Sequence, residues 1–110
     1  MNKRNPYRVV LVTAPDLKTA RQLAKLALEA KLVACANLVP GLESHYWWQN
    51  KLDRSREILI LFKTVRQQVS TLQELILAHH PYQTPEFVTL EIQEGSPGYL
   101  EWIAASASKT

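Results

Sequence analysis

Arg56-Glu-Ile-Leu-Ile-Leu-Phe-Lys63 is the stretch that decides the fold of this 110-residue chain. Its five consecutive apolar residues, bounded by charged ones, are typical of a strand and are too few for an ordinary helix. Side chains alternate along a strand, so both faces are apolar here: Ile58, Ile60 and Phe62 on one, Leu59 and Leu61 on the other. We therefore expect a sheet that is covered on both sides.

The residues at the beginning of the chain predict a strand followed by a helix. Val9 to Val12 is a short, mostly β-branched run that ends at Ala14-Pro15, as a buried strand would. Asp16 is placed to cap the helix by accepting a backbone N–H bond. Apolar residues at helical spacing then continue to about Ala30.

The middle of the chain predicts two strands and a hairpin. Leu32 to Val39 is the second strand, and Pro40-Gly41 ends it. Glu43 to Trp48 is the third, with Gln49-Asn50-Lys51 as the tip of a hairpin that leads into the stretch quoted above.

A helix, a strand and a short helix complete the predicted order. Thr64 and Gln67 fit the capping-box pattern at the start of a helix that must end before Pro81. Phe87 to Ile92 predicts another strand, and a final helix begins with Ser96 as its cap and proline at its first position.

With the second and third strands counted together as one arm of the hairpin, the order is β-α-β-β-α-β with an added C-terminal helix. This order predicts an α/β (α+β) protein with the ferredoxin-like arrangement, as one domain over residues 1–110. In that arrangement the two main helices cover one face of an antiparallel sheet. The other face would carry apolar side chains into water, so we predict self-association.

Composition excludes several classes of function. The net charge is only +3 and the basic residues are scattered, which argues against nucleic acid as a partner. No apolar run reaches the length of a transmembrane helix, so we expect no membrane partner. The only cysteine, Cys35, rules out an internal disulfide and favours a reducing compartment, the cytoplasm.

Familiar catalytic motifs are missing from the sequence, so we do not expect an enzyme. There is no glycine-rich phosphate loop, no His-Glu-x-x-His helix and no nucleophile elbow. The best candidate for a functional segment is His79-His80-Pro81-Tyr82-Gln83-Thr84-Pro85-Glu86, which joins a helix end to a strand and concentrates titratable and aromatic groups.

Two interpretations of His79 and His80 stay open. Imidazole is a common metal ligand, and Pro81 pushes His80 out of helical geometry, so the two rings could converge on a divalent cation. Alternatively, the segment is a helix end whose imidazoles bond to terminal carbonyls. Two histidines alone do not make a full ligand set.

Three further features could belong to a binding site. Tyr46-Trp47-Trp48 places three large aromatics near the hairpin tip, more than so small a domain can bury. One of them could pack in the core; for the others a subunit interface is favoured over a ligand pocket. Cys35 is expected to be a small buried residue. Lys63, at a strand end, would contact an anionic ligand or simply be solvated.

Taken together, the motifs resemble those of the CutA family of divalent-cation tolerance proteins. The similarity covers about Val9 to Ile103 in order and spacing, and it is specific because the motifs occur together. They are Val10 to Asp16, Leu32-Val-Ala-Cys-Ala-Asn37, Pro40-Gly41 with Ser44, Tyr46 and Trp48, Lys63-Thr64, His79 to Glu86, and Tyr99-Leu-Glu-Trp-Ile103. The resemblance implies a homotrimer similar to the PII signal proteins, with a long central hairpin that reaches a neighbouring subunit. It also implies a role in tolerance of copper and other divalent metals.

A cleft between subunits is the ligand site that the resemblance implies. By position it would contain Cys35, Trp48, Lys63, His80, Tyr82 and Glu86. Two positions depart from the family pattern. Val12 stands where members proposed to bind copper have a cysteine, which removes the softest ligand. Asn50 replaces a glycine often found at the hairpin tip, which should alter the turn and not the fold.

Three functions therefore stay open. The first is a trimer that binds a divalent cation such as copper through His79 and His80, with no other cofactor required. The second is a PII-like sensor of a small anionic metabolite bound in the cleft. The third is a structural trimer that recruits a protein partner.

Overall fold

The computed structural model describes residues 5–108 of the chain. Four strands and three helices follow one another as β1 Tyr7–Ala14, α1 Leu17–Glu29, β2 Cys35–Trp48, β3 Lys51–Val65, α2 Arg66–His79, β4 Val88–Glu91 and α3 Pro97–Ser106. The domain predicted over residues 1–110 includes residues 1–4, 109 and 110, which lie outside the described part.

The strands form one sheet in the order β2-β3-β1-β4, with every neighbouring pair antiparallel. This is the predicted ferredoxin-like order. The predicted face of β3, with Ile60 and Phe62 fully buried, packs together with the apolar stripes of α1 and α2. The core of the domain therefore lies between one face of the sheet and these two helices.

The opposite face of the sheet is apolar and largely uncovered. Cross-strand register places Leu11 beside Leu61 and Val88, and Val9 beside Leu90. Val88 and Leu90 are 44% and 48% exposed. Helix α3 covers only the end of this face, where Ile103 packs with residues that include Tyr7 and Val65. We call the uncovered part the open face.

The central hairpin differs from the prediction in its strand boundaries. Leu32 to Ala34 are outside any strand, and the predicted second and third strands are one strand, β2, that pairs with β3 from Cys35 to Trp48. Pro40-Gly41 does not end the strand, because the two residues lie in a bulge-like irregularity between Val39 and Leu42, after which pairing with β3 continues. Gly41 adopts φ +83° at this point, a conformation that glycine accepts without strain. The predicted long hairpin is thus confirmed. Its paired strands extend past the apolar stretch of β3 to Trp48 and Lys51.

Of the three predicted helix caps, that of α1 is confirmed, that of α3 is confirmed in position only, and that of α2 is wrong. Asp16 caps α1 as expected, its side chain accepting from the Thr19 amide at 2.8 Å. Thr64 still belongs to β3, and its buried hydroxyl donates to the Leu32 carbonyl instead of capping α2. Ser96 is the N-cap residue of α3 and Pro97 begins the helix, both as predicted, but the Ser96 side chain makes no capping bond.

The strand predicted over Phe87 to Ile92 is shorter, and pairs with β1 only from Val88 to Glu91. Among the helices of residues 5–108, none has the length and apolar character to cross a membrane.

Candidate functional site

A groove lies between the β2–β3 hairpin and the loop that follows α2. Its volume is about 870 Å³ and it is open to solvent. The hairpin contributes one wall, the loop the other, and the end of β1 the floor; the lining residues are Thr13, Ser44, His45, Tyr46, Trp47, Trp48, Asp53, Ser55, Glu57, Tyr82, Gln83, Thr84 and Glu86. The segment singled out in the sequence therefore forms part of a concave surface.

His80 lies behind this loop wall and uses both of its ring nitrogens. Helix α2 ends at His79, and the backbone of His80 is extended, with φ −83° and ψ 138°, as a residue before proline prefers. Its Nε2 lies 2.7 Å from the Thr13 carbonyl oxygen, and its Nδ1 accepts from the Tyr82 amide at 3.1 Å. The ring thus ties the loop to the end of β1.

Tyr82 connects the loop to the hairpin. Its hydroxyl donates to Glu57 Oε2 at 2.7 Å, and its ring packs at 4.7 Å, centroid to centroid, from the ring of His80. Burial, followed by the bond to Glu57 and the charge of that carboxylate, raises the pKa of Tyr82 above its ordinary value. The phenol therefore stays protonated, and it is the hydrogen-bond donor that holds the Glu57 carboxylate.

Carboxylates make the groove electronegative. Glu57 is only 8% exposed. Glu86 lies on the exposed rim, and partial desolvation by the groove walls, together with the negative charge of Glu57, raises its pKa. Asp53 is the third carboxylate, and no lysine or arginine is among the lining residues in the described part of the chain. An entering cation would relieve the repulsion between Glu57 and Glu86.

His79 points away from the contacts of His80. Its Nδ1 lies 2.9 Å from the Leu75 carbonyl oxygen of its own helix, and its side chain is exposed. Within residues 5–108, no three histidine, cysteine or carboxylate side chains are grouped closely enough to hold a metal ion. The two adjacent histidines thus have different partners in one chain.

The remaining predicted cleft residues form a second polar cluster. Lys63 Nζ donates to Asn37 Oδ1 at 2.7 Å, and the Cys35 thiol contacts the same oxygen at 3.4 Å. Lys63 also reaches the hydroxyl of Tyr99 at 3.5 Å. Because Lys63 lies six residues beyond Glu57 on β3, the cluster is ~20 Å from the groove along the strand.

Within one chain, the six predicted cleft residues are therefore divided. Trp48, Tyr82 and Glu86 line the groove, with His80 supporting it, whereas Cys35 and Lys63 lie in the second cluster. A cleft that unites all six needs a second chain and stays a prediction. Cys35, expected to be buried, is partly exposed.

Glu57 is the main site residue that the sequence analysis missed. The signal was present in the alternation of β3, where Glu57 falls on the same side as Leu59 and Leu61. A carboxylate that lies in a row of apolar side chains and is nearly buried in the folded chain needs a specific hydrogen-bond partner. That partner, Tyr82, is 25 residues away in sequence, so only the tertiary structure identifies it.

The fold and the groove define a ferredoxin-like α/β protein with an acidic groove. Residues 8–106 match the family model described as CutA1 divalent ion tolerance protein. The chain is 46% identical over 98 residues to the divalent-cation tolerance protein CutA of Escherichia coli O139:H28, a match that covers 89% of this chain and 88% of that one. The chain belongs to the CutA1 family.

Solved structures show the same fold. The divalent cation tolerance protein Cut A1 from Thermus thermophilus superposes with a TM-score of 0.89 at 43% identity, covering 91% of this chain and 97% of the other. The periplasmic divalent cation tolerance protein CutA from Archaeoglobus fulgidus gives a TM-score of 0.89 at 31% identity, with 93% and 99% covered. These matches confirm the resemblance seen in the sequence.

Proposed function

We propose that this chain acts in divalent-cation tolerance by binding a divalent cation in the groove between the hairpin and the loop. The observation that carries the proposal is the charge of the lining: in the described part of the chain it contains three carboxylates and neither lysine nor arginine. Because no three ligand side chains of residues 5–108 are grouped closely enough to hold a metal ion, we infer that water or a second chain completes the ligand set. Relatives that carry the name divalent-cation tolerance protein support the biological role. Binding, rather than catalysis, is the activity that we assign.

The donor atoms of the groove favour one type of cation. Most donor groups of the groove are carboxylates and hydroxyls, whose oxygen atoms suit magnesium, calcium and manganese, whereas imidazole and thiolate favour copper. The only imidazole in the described lining is that of His45, whose Nε2 lies 2.8 Å from a Glu43 carboxylate oxygen. Val12 holds a buried position in the core and offers no thiolate. We therefore place manganese ahead of copper as a ligand of the groove.

The cluster at Lys63 supports the second candidate function. A lysine that donates to a side-chain amide and lies 5.9 Å from the centre of the Tyr99 ring has a positive charge near the surface. A small anionic metabolite would bind at this cluster and not in the acidic groove. The third candidate, a structural trimer that recruits a protein, draws support only from the exposed aromatic residues of the hairpin.

We also propose that the protein is a homotrimer in the cytoplasm. The open face is the support for assembly, since an uncovered apolar sheet face is costly in water. The single cysteine is the support for a reducing compartment. The relative from Archaeoglobus fulgidus is named periplasmic, so cell fractionation with a tagged chain is the deciding measurement.

Calorimetric titration with manganese chloride tests the groove. Glu57→Gln and Glu86→Gln each remove one negative charge while keeping the side-chain shape, so we expect each to weaken binding about tenfold or more, as the loss of a supporting group at a metal site does. Glu101→Gln, on the exposed surface of α3, is the matched control and should bind as the wild type does. Equal binding by all four proteins would exclude the groove.

A parallel titration distinguishes the candidates. Inorganic phosphate serves as the probe for an anion site, and Lys63→Gln as its variant. Phosphate binding that depends on Lys63, with no manganese binding, would replace the first proposal with the second.

A further inference from the structure

We propose that His80 is a positioning residue of the groove, and that of the two neighbouring histidines only His79 presents a nitrogen lone pair to a cation. The part that concerns His80 rests on the proposed function, because His80 supports the wall of the groove, whereas His79 lies outside the groove lining. The first test of the proposal uses no ligand, so it can fail or succeed independently of cation binding.

The partners of His80 determine its tautomer. A carbonyl oxygen only accepts and an amide N–H only donates. Nε2, facing the Thr13 carbonyl, must therefore carry the proton, and Nδ1, facing the Tyr82 amide, must offer its lone pair. His80 is thus a neutral imidazole with both nitrogens committed.

His79 has the opposite tautomer for the same reason. Its Nδ1 faces the Leu75 carbonyl oxygen and must carry the proton. In the neutral ring the lone pair is then on Nε2, in an exposed side chain. Two consecutive histidines therefore differ in which nitrogen is protonated and in which lone pair a metal could reach.

A continuous chain of contacts makes His80 important for the groove. The carbonyl of Thr13 holds the ring, the ring holds the Tyr82 amide, and the Tyr82 hydroxyl holds the Glu57 carboxylate. Pro81 lies between the two bonded residues, and its fixed φ limits the conformations of this short connection. Loss of the imidazole would first free the Tyr82 backbone from its hydrogen bond. Tyr82 would then no longer fix the orientation of the Glu57 carboxylate.

This arrangement predicts different roles for the adjacent histidines. A cation can bind His79 without breaking the bonds of the loop. To bind His80 it must displace either the Thr13 carbonyl or the Tyr82 amide, and so must open the groove wall. His80 therefore shapes the site by holding Tyr82, and the groove offers its carboxylates as ligands.

Long-range ¹H–¹⁵N NMR of the histidine rings, at about pH 8 where unperturbed imidazoles are neutral, tests the tautomers without ligand. We expect the Nε2–H pattern for His80 and the Nδ1–H pattern for His79, assigned with His79→Gln and His80→Gln. An Nδ1–H pattern for His80 would overturn the proposal. Zinc chloride, a diamagnetic probe, should then shift the His79 resonances first; displacement of the His80 signals first would also overturn it.

Hydrogen exchange of the Tyr82 amide tests the positioning role. In His80→Ala we expect exchange to accelerate about tenfold or more, since a lost bond of ~1.4 kcal/mol corresponds to a factor of ten. His80→Asn, whose amide oxygen lies near the position of Nδ1, should restore part of the protection. His79→Ala is the matched control and should leave the Tyr82 amide unchanged. Equal exchange in His80→Ala and His79→Ala would contradict the proposal.

Discussion

The buried polar side chains of residues 5–108 have specific hydrogen-bond partners. Among the described residues, every buried side-chain nitrogen or oxygen atom makes a hydrogen bond. Thr64 illustrates the effect on sequence interpretation: its hydroxyl, next to Val65 and α2, fits a helix cap, yet it bonds the Leu32 carbonyl across the fold. The local sequence was compatible with a helix cap and with a bond across the fold. Because Thr64 is buried on the core side of β3, its hydroxyl makes the bond across the fold.

Glu86 provides a prediction at the scale of one residue. Its pKa is raised above the usual 4.5 by desolvation and by Glu57, so protonation favours the folded state. This stabilisation is fully present below the unfolded pKa and is lost as the pH rises through the folded pKa. Glu86→Gln should therefore unfold at higher denaturant concentration than the wild type at pH 7.

The difference between Glu86→Gln and the wild type should narrow as the pH falls toward the unfolded pKa. Urea denaturation over that range measures it, with Glu101→Gln as the control for a surface carboxylate. A less stable Glu86→Gln protein at neutral pH would show that Glu86 makes a favourable interaction as an anion.

The β2–β3 hairpin shows how an element can extend past its apolar pattern. Pairing continues to Trp48 and Lys51, through a segment of β3 rich in charged residues. The turn needs only Gln49 and Asn50, which have φ values of 52° and 67°. Positive φ at both central positions is typical of the type I′ turn that matches the twist of paired strands. Asn50 tolerates this conformation, so the departure from glycine at the tip left the turn intact.

The turn gives a prediction at the scale of the element. Gln49→Asn combined with Asn50→Gly creates the sequence that type I′ turns prefer, and should raise the free energy of unfolding by about 1 kcal/mol. Gln49→Val, at the same position, should lower it, because β-branched residues resist positive φ. Chemical denaturation measures both; the same sign for the two variants would exclude the turn as the cause.

At the scale of the whole molecule, the open face is the main apolar surface that the described residues leave exposed to water. Val39, Val88 and Leu90 are each more than 40% exposed, and Leu11 and Leu61 lie at the centre of the same surface. The helices on the other side, α1 and α2, already bury the core. Covering the open face would remove apolar surface from water, and each Å² buried contributes about 25 cal/mol of stabilising free energy.

Light scattering tests the assembly. The wild type at low micromolar concentration should have the mass of three chains. Leu11→Asp, which places a charge in the middle of the open face, should reduce this mass to that of one chain. Leu28→Asp changes an exposed leucine on α1 and should leave the mass unchanged. A monomeric wild type would contradict the proposed homotrimer.

The sequence by itself determined the order of the elements, the apolar faces of β1 and β3 and the capping of α1 by Asp16. These features depend on residues close to one another in the chain, where periodicity and local hydrogen bonds act. It also located the His79–Glu86 segment. Only the tertiary structure joined the two predicted strands into β2, since pairing with β3 across a bulge overrides the local turn signal of Pro40-Gly41.

The opening stretch, residues 56–63, shows the same division. Its alternation predicted both apolar faces of the strand, and the structure placed one on the helices and left the other open. Glu57 within it gave no local sign of a partner. Its bond to Tyr82, and the division of the predicted cleft residues between two clusters, depend on contacts between residues far apart in sequence. Such contacts are decided by how the elements pack, which no single segment encodes.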